Sequence, residues 1–294
     1  MRSIFKKILY TMSFALLLFL IVTLLIPYLS FIFTGTIHAP RGKNTFKVVA
    51  HRGASGYAPE NTLASFERGI AMGADMVELD VHLTSDDSVV VMHDHEVSRT
   101  TNGKGDIGAM TFAELRKLDA GSWFSEEFRG EQVPTLAEVL QLVNGRVKLL
   151  IELKWPAKGL YEGLVEKTVK VIRDHHAEAW VILQSFEITY LDEAAKIAPA
   201  IEQQQLIFGK SGLIPLYFER GPKLGSFVPQ QAATSVNIFY LYVNQKLISD
   251  MHARGKTVFA FTPNNEKDMH KLLKLGIDGI ITNFPDRALK ASGR

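Results

Sequence analysis

The architecture follows from one pattern, first seen in Lys47-Val48-Val49-Ala50-His51-Arg52-Gly53, where a short apolar run ends in ionisable residues. The pattern recurs at residues 89–94, where Val-Val-Val-Met leads into His-Asp, and within residues 76–83 and 147–154. From residue 46 onward such runs alternate with helix-like segments, as in βα units around a parallel sheet. About 250 residues of this alternation is the size of a (β/α)8 barrel. We therefore predict a TIM barrel.

The periodicity also predicts the individual elements. The predicted strands are residues 47–50, 76–83, 89–92, 147–153, 180–183, 202–208, 235–238, 257–261 and 279–282, and the predicted helices are 61–72, 136–143, 159–176, 189–198, 245–254 and 266–275. Two stretches exceed a minimal barrel, and we predict a small inserted subdomain at about 95–133 and a second insertion at 209–231. The alternative, a doubly wound open sheet, lacks the expected Gly-x-Gly-x-x-Gly turn.

Composition excludes several classes of protein. The chain has 294 residues, of which 47% are hydrophobic and 22% charged, so it is far too apolar for a disordered protein. Five basic residues and no acidic residue precede residue 44, which leaves 28 basic and 31 acidic residues in the body. A nearly neutral body argues against binding to nucleic acid. The absence of cysteine excludes a disulfide framework, a cysteine-ligated metal and a thiol nucleophile.

The N-terminal segment is unusually apolar. Residues 8–26 contain no charged side chain, and as a helix these 19 residues would rise about 28 Å, close to the thickness of a bilayer core. No Ala-x-Ala site follows, which favours an uncleaved single-pass anchor over a signal peptide. We predict a cytoplasmic flank and transmembrane helix in residues 1–33, a linker at 34–45 and the barrel domain at 46–294. The short N-terminal flank favours a membrane protein with its domain on the extracytoplasmic side.

Paired polar residues interrupt two of the predicted strands. Glu78 and Asp80 are two residues apart, as are Glu152 and Lys154, so each pair points to one face of its strand. The carboxyl ends of parallel barrel strands form a single mouth, where we expect both pairs to lie near the polar residues after the other strands. Burying so many charges together without a charged ligand would be costly. The convergence therefore favours a functional site, although a lone histidine or Glu-x-Asp is more often structural.

The residue types suggest a chemistry. Three carboxylates without cysteine favour one hard divalent cation, Ca²⁺ or Mg²⁺. Arg52 and Lys154 offer positive charge suited to phosphate. His51 and His93 form a possible acid and base pair. Together these residues predict metal-assisted hydrolysis of a phosphoester.

Seven ordered motifs, spread over about residues 47–290, resemble the glycerophosphodiester phosphodiesterase family. They are His51-Arg52-Gly53, Pro59-Glu60-Asn61-Thr62, Glu78-Leu79-Asp80-Val81, His93-Asp94, residues 118–124 (Leu-Asp-Ala-Gly-Ser-Trp-Phe), Ile151-Glu152-Leu153-Lys154 and residues 276–282 (Gly-Ile-Asp-Gly-Ile-Ile-Thr). The resemblance implies a (β/α)8 barrel that hydrolyses a glycerophosphodiester to sn-glycerol 3-phosphate and an alcohol.

The resemblance also implies roles for particular residues. These are metal ligation by Glu78, Asp80 and Glu152, acid and base catalysis by His51 and His93, phosphate or substrate binding by Arg52, Lys154, Gln184 and Phe261, and support from Glu60. The chain departs from the family pattern in two places, with Phe261-Thr262-Pro263-Asn264 for Trp-Thr-Val-Asn and Thr282-Asn283-Phe284-Pro285 for Thr-Asp-x-Pro. The first departure changes an aromatic wall that could select the alcohol, and the second removes a carboxylate near the mouth.

Three alternatives remain open from the sequence. An anchored enzyme would meet lipid head groups often, so lysophospholipase D-type cleavage is one of them. Phospholipase-C-like cleavage on the other side of the phosphate is the second. The third is a non-catalytic, membrane-tethered protein that binds phosphoglycerol.

Overall fold

A computed structural model describes residues 46–210 and 216–294. The predicted anchor and linker lie outside these residues. Within the described ranges, no helix combines the length and the apolar character needed to cross a membrane.

Eight parallel strands close into a barrel. In chain order the strands of the described residues are β1 (Lys47–Ala50), β2 (Met76–Leu83), β3 (Val89–Val91), β4 (Lys148–Leu153), β5 (Val181–Ser185), β6 (Glu202–Ile207), β7 (Gly209–Lys210), β8 (Leu216–Phe218), β9 (Pro222–Leu224), β10 (Ala233–Phe239), β11 (Thr257–Phe261) and β12 (Gly279–Thr282). The barrel order is β1-β12-β11-β10-β6-β5-β4-β2, and β1 pairs with β2 to close it. The predicted barrel is confirmed.

Seven of the α-helices in the described residues pack around the barrel, and one short helix lies in the insertion between β3 and β4. In chain order these helices are α1 (Leu63–Ala71), α2 (Phe112–Leu115), α3 (Leu136–Val143), α4 (Leu164–Asp174), α5 (Ile188–Ile197), α6 (Gln245–Ala253), α7 (Glu266–Lys274) and α8 (Pro285–Ser292). Local sequence sets their ends: a capping box between Thr135 and Glu138 starts α3, and Asn144 ends it in the left-handed conformation. Between β6 and β10 the described residues form a small antiparallel sheet, β7-β8-β9, in place of a helix.

The prediction that residues 89–92 form a parallel barrel strand was wrong. β3 runs antiparallel to β2, with Val91 opposite Val81, because the chain reverses between the two strands. Asp87 adopts a φ of 66° in that reversal. The hairpin leads into an irregular segment that contains α2 and has its own core, formed by Val90, Met92, Val97, Ile107, Leu115, Ala120 and Val133. The residue after this strand, His93, therefore reaches the mouth from a hairpin that leads into the insertion.

Candidate active site

The turn after β1 holds the first two predicted site residues. Arg52 has a φ of 55°, and its backbone N–H donates to Glu78 Oε2 at 2.8 Å. Gly53 follows with a φ of 78°, and a Cβ there would lie 2.4 Å from Ser65, so only glycine fits. Ser65 Oγ in turn donates to the Arg52 carbonyl at 2.9 Å. The turn is thus fixed between β2 and α1, with His51 and Arg52 at the mouth.

The three predicted metal ligands come together. Glu78, Asp80 and Glu152 are buried, and each has a carboxylate oxygen within 4.8 Å of the others. Asp80 and Glu152 are direct neighbours across β2 and β4. Burial, with the charges of Asp80 and Glu152, raises the pKa of Glu78 well above its ordinary value, and burial with Asp80 also raises that of Glu152.

This cluster fits a divalent cation. Asp80 Oδ1 is buried and makes no hydrogen bond among the described residues, although Lys154 Nζ lies 3.5 Å away. On the other oxygen of the same carboxylate, Asn61 donates to Oδ2 at 2.8 Å. Carboxylate oxygens are the ligands that Ca²⁺ and Mg²⁺ prefer, and a buried one without a hydrogen bond is free to bind such an ion. The cluster could therefore hold a metal ion.

Two positively charged side chains, Lys154 and Arg52, border the cluster, as predicted. Lys154 Nζ donates to Glu152 Oε1 at 2.8 Å. Burial lowers the pKa of Lys154, but Glu152 and Asp80 outweigh it and the pKa is raised overall. Arg52 Nε lies 3.6 Å from Asp80 Oδ2 and has no hydrogen bond within the described part of the chain. Both side chains stay charged and are suited to an anionic oxygen.

His51 is backed by an amide. Its Nδ1 lies 2.6 Å from Asn283 Oδ1, in the motif that departs from the Thr-Asp-x-Pro pattern. Burial, together with the charge of Arg52, lowers the pKa of His51 to about 3. With Nδ1–H donated to the amide oxygen, the neutral ring keeps its lone pair on Nε2. Asn283 is thus part of the site, whereas the sequence indicated only that a carboxylate is absent at this position.

His93 is backed by a carboxylate. Its Nδ1 lies 2.7 Å from Asp94 Oδ1, and the hydrogen bond to this ring lowers the pKa of Asp94. Arg99 links Asp94 to Glu60: its Nε donates to Asp94 Oδ2 at 2.5 Å, and its Nη2 donates to Glu60 Oε1 at 2.7 Å. Glu60 also accepts from Arg52 Nη1 at 2.8 Å, so the predicted supporting residue connects the two sides of the site. Arg99 was missed because nothing in its local sequence sets it apart from other surface arginines.

The other predicted substrate residues occupy different environments. Gln184 is fully enclosed: its Nε2 donates to Glu78 Oε1 at 3.3 Å, and its Oε1 accepts from Asn237 at 2.8 Å. Phe261 packs edge-on against Phe186, with ring centroids 5.9 Å apart, and Phe186 contacts Trp155 in the same way. These rings form an aromatic wall at the ends of β4, β5 and β11. The substrate-binding roles of Gln184 and Phe261 stay predictions.

Comparison with known proteins agrees with this geometry. The family model described as "Glycerophosphoryl diester phosphodiesterase family" matches residues 51–287. A glycerophosphodiester phosphodiesterase of Caldanaerobacter subterraneus is 39% identical over 240 residues, which cover 81% of this chain and 94% of that protein. A Bacillus subtilis protein of the same name is 35% identical over 276 residues, covering 88% and 92% respectively.

A solved structure is also similar. A phosphodiesterase of Oleispira antarctica, in complex with the product sn-glycerol-3-phosphate, matches with a TM-score of 0.73 and 32% identity, covering 84% of this chain and 97% of that one. The chain belongs to the glycerophosphoryl diester phosphodiesterase family. It is an enzyme, a phosphoric diester hydrolase, as the ordered motifs predicted.

Proposed function

We propose that the enzyme hydrolyses glycerophosphodiesters to sn-glycerol 3-phosphate and an alcohol, using one divalent cation, Ca²⁺ or Mg²⁺, and two histidines. The observation that carries this proposal is the buried triad of Glu78, Asp80 and Glu152, with oxygens within 4.8 Å of one another. The product in the Oleispira antarctica structure supports the same substrate class. The bound cation would draw charge from a phosphate oxygen as a Lewis acid.

Arg52 and Lys154 would hold the phosphodiester. Arg52 Nε is a buried donor without a hydrogen bond in the described residues, and it faces the acidic cluster. A phosphate oxygen there would satisfy the donor and gain a charge-assisted bond. Lys154, held by Glu152, would supply a second positive charge. Both residues would therefore orient the phosphate for in-line attack.

The partners of the two histidines suggest a division of labour. A neutral His51 with its lone pair on Nε2 is suited to accept a proton from the attacking group. His93, hydrogen-bonded to the Asp94 carboxylate at 2.7 Å, is suited to carry a proton and give it to the departing alkoxide. The attacking group is either water or the neighbouring glycerol hydroxyl, the latter through a cyclic phosphate.

The aromatic wall and the apolar N-terminus favour lipid-derived diesters as a second substrate group. Trp155, Phe186 and Phe261 would contact the alcohol portion, where an apolar or cationic group stacks well. We also propose that residues 8–26 anchor the enzyme and leave its barrel on the extracytoplasmic side. Protease treatment of intact cells, followed by detection of the barrel, tests this topology: survival of the barrel would refute it.

Product analysis tests the reaction. The full-length protein is incubated with glycerophosphocholine, glycerophosphoethanolamine and lysophosphatidylcholine, each with and without a chelator. We expect sn-glycerol 3-phosphate from the first two and lysophosphatidic acid from the third, all lost with chelator and restored by Mg²⁺ or Ca²⁺. Release of phosphocholine would instead indicate phospholipase-C-like cleavage. Undiminished turnover in chelator would refute the role of the cation.

A further inference from the structure

Polar amides occupy part of the barrel interior where apolar side chains are usual. Branched apolar residues normally fill such a barrel, and here a cluster that includes Leu150 and Ile281 does so. On the side of β5, β6 and β10, however, the interior holds Gln184, Gln204 and Asn237, all buried. We call these three side chains the amide relay. Burying an amide costs free energy unless the amide is hydrogen-bonded, so we expect these three side chains to have defined partners.

The relay has one consistent orientation. Asn237 Nδ2 donates to both Gln184 Oε1 and Gln204 Oε1, at 2.8 and 2.9 Å. Each glutamine then donates from its own Nε2 to a carboxylate, Gln184 to Glu78 at 3.3 Å and Gln204 to Glu202 at 3.4 Å. In their ionised form, which is the form in which Glu78 would ligate a cation, both carboxylates can only accept. Reversing any of the three amides would therefore bring two acceptors face to face.

Asn237 is the centre of this arrangement. Both of its amide hydrogens are used, and its Oδ1 accepts from Ser235 Oγ at 3.0 Å. Glu78, at the end of the relay, is held on both oxygens, since Oε2 accepts from the Arg52 backbone and Oε1 from Gln184. Two consecutive hydrogen bonds through Gln184 therefore connect Asn237 to this carboxylate.

We propose that Asn237 is a positioning residue for the cation site, acting through Gln184 to hold the Glu78 carboxylate in its ligating orientation. The inference rests on the proposed function, because it takes the triad as the metal site. Removing a residue that hydrogen-bonds to a metal ligand typically lowers the metal affinity about 10- to 100-fold. Asn237→Leu keeps the approximate shape of the side chain, removes both donors and frees Gln184 to turn.

Calorimetric titration of the full-length protein with Mg²⁺ and with Ca²⁺ tests the proposal. Gln205→Leu is the matched control: Gln205 follows Gln204 in β6, is equally buried, and bonds to Glu219 and Gln230 instead of the relay. Both variants are expected to lower the Tm. Asn237→Leu alone is expected to raise the Kd for the cation, by about 10-fold or more. An unchanged Kd in Asn237→Leu overturns the proposal.

A double-mutant cycle tests the route through Gln184. Gln184→Met is expected to weaken cation binding about as much as Asn237→Leu, and the double variant no more than either, because both act on one chain of bonds. Additive losses overturn the route. If Asn237→Leu does not fold, Asn237→Ser is titrated in its place, and an unchanged Kd overturns the proposal. If the wild-type protein binds neither cation, the proposed function itself is refuted. If wild type and Asn237→Leu bind the cation equally well, only the positioning role of Asn237 is refuted.

Discussion

Replacing His93 should remove activity in a way that depends on the leaving group. A general acid typically contributes about 10²- to 10⁴-fold, so His93→Ala should lose about that factor in kcat on glycerophosphocholine, whose alkoxide must be protonated as it leaves. On the p-nitrophenyl ester of sn-glycerol 3-phosphate, the nitrophenolate leaves without a proton. There the loss should be less than about 10-fold. His51→Ala should instead lose activity on both substrates.

The carboxylate behind His93 allows a graded version of the same test. A hydrogen bond to a charged group, such as the 2.7 Å bond from His93 to Asp94, contributes about 1.5 to 3 kcal/mol. Asp94→Asn should therefore cost about 10- to 100-fold in kcat on glycerophosphocholine. Asp106→Asn is the matched control, because it removes the negative charge from a similar 3.0 Å bond to His95 in the insertion. Equal losses on both substrates in His93→Ala would refute its assignment as the acid.

Three further predictions concern charge. Asn283→Asp places a carboxylate beside His51 and raises its pKa from about 3, so the acidic limb of kcat/KM should move to higher pH; an unmoved limb contradicts this. Glu152→Gln should weaken Mg²⁺ binding by at least about 10-fold in calorimetry, and unchanged affinity would count against the triad. Burial and Glu166 raise the pKa of Glu193 from 4.5 to about 7, so wild-type stability falls as pH rises through that range. Above about pH 7, Glu193→Gln should therefore be more stable than the wild type by less than about 1 kcal/mol, which a higher Tm would show, and an equal Tm would refute the destabilising effect of this carboxylate.

The parts of the molecule that could be predicted share a local cause. A barrel strand buries both faces, so it appears as an apolar run, and a charged residue within it or at its end is conspicuous. This is why Glu78, Asp80 and Glu152 could be identified, and why a spacing of two placed the first pair on one face. The alternation of strands with helices then predicted the mouth at which they meet.

The parts that could not be predicted depend on partners distant in sequence or on direction. Val89-Val90-Val91 has the same composition whether it pairs parallel or antiparallel, and only the turn at Asp87 distinguishes the two. Asn283 lies 232 residues from His51, so no local spacing connects them. Helix α8 was missed too, although Pro285 at its first turn is a typical start signal.

The two histidines of the site come from different parts of the fold because of the β2–β3 hairpin. His51 belongs to the barrel wall, while His93 stands at the root of the insertion, whose core is independent of the barrel's main clusters. The residues that we propose as proton donor and proton acceptor are thus held by two different parts of the fold. Chimaeras in which the insertion, about residues 95–133, comes from a relative should retain the cation site, whose ligands lie on β2 and β4, and should change the selectivity for the alcohol.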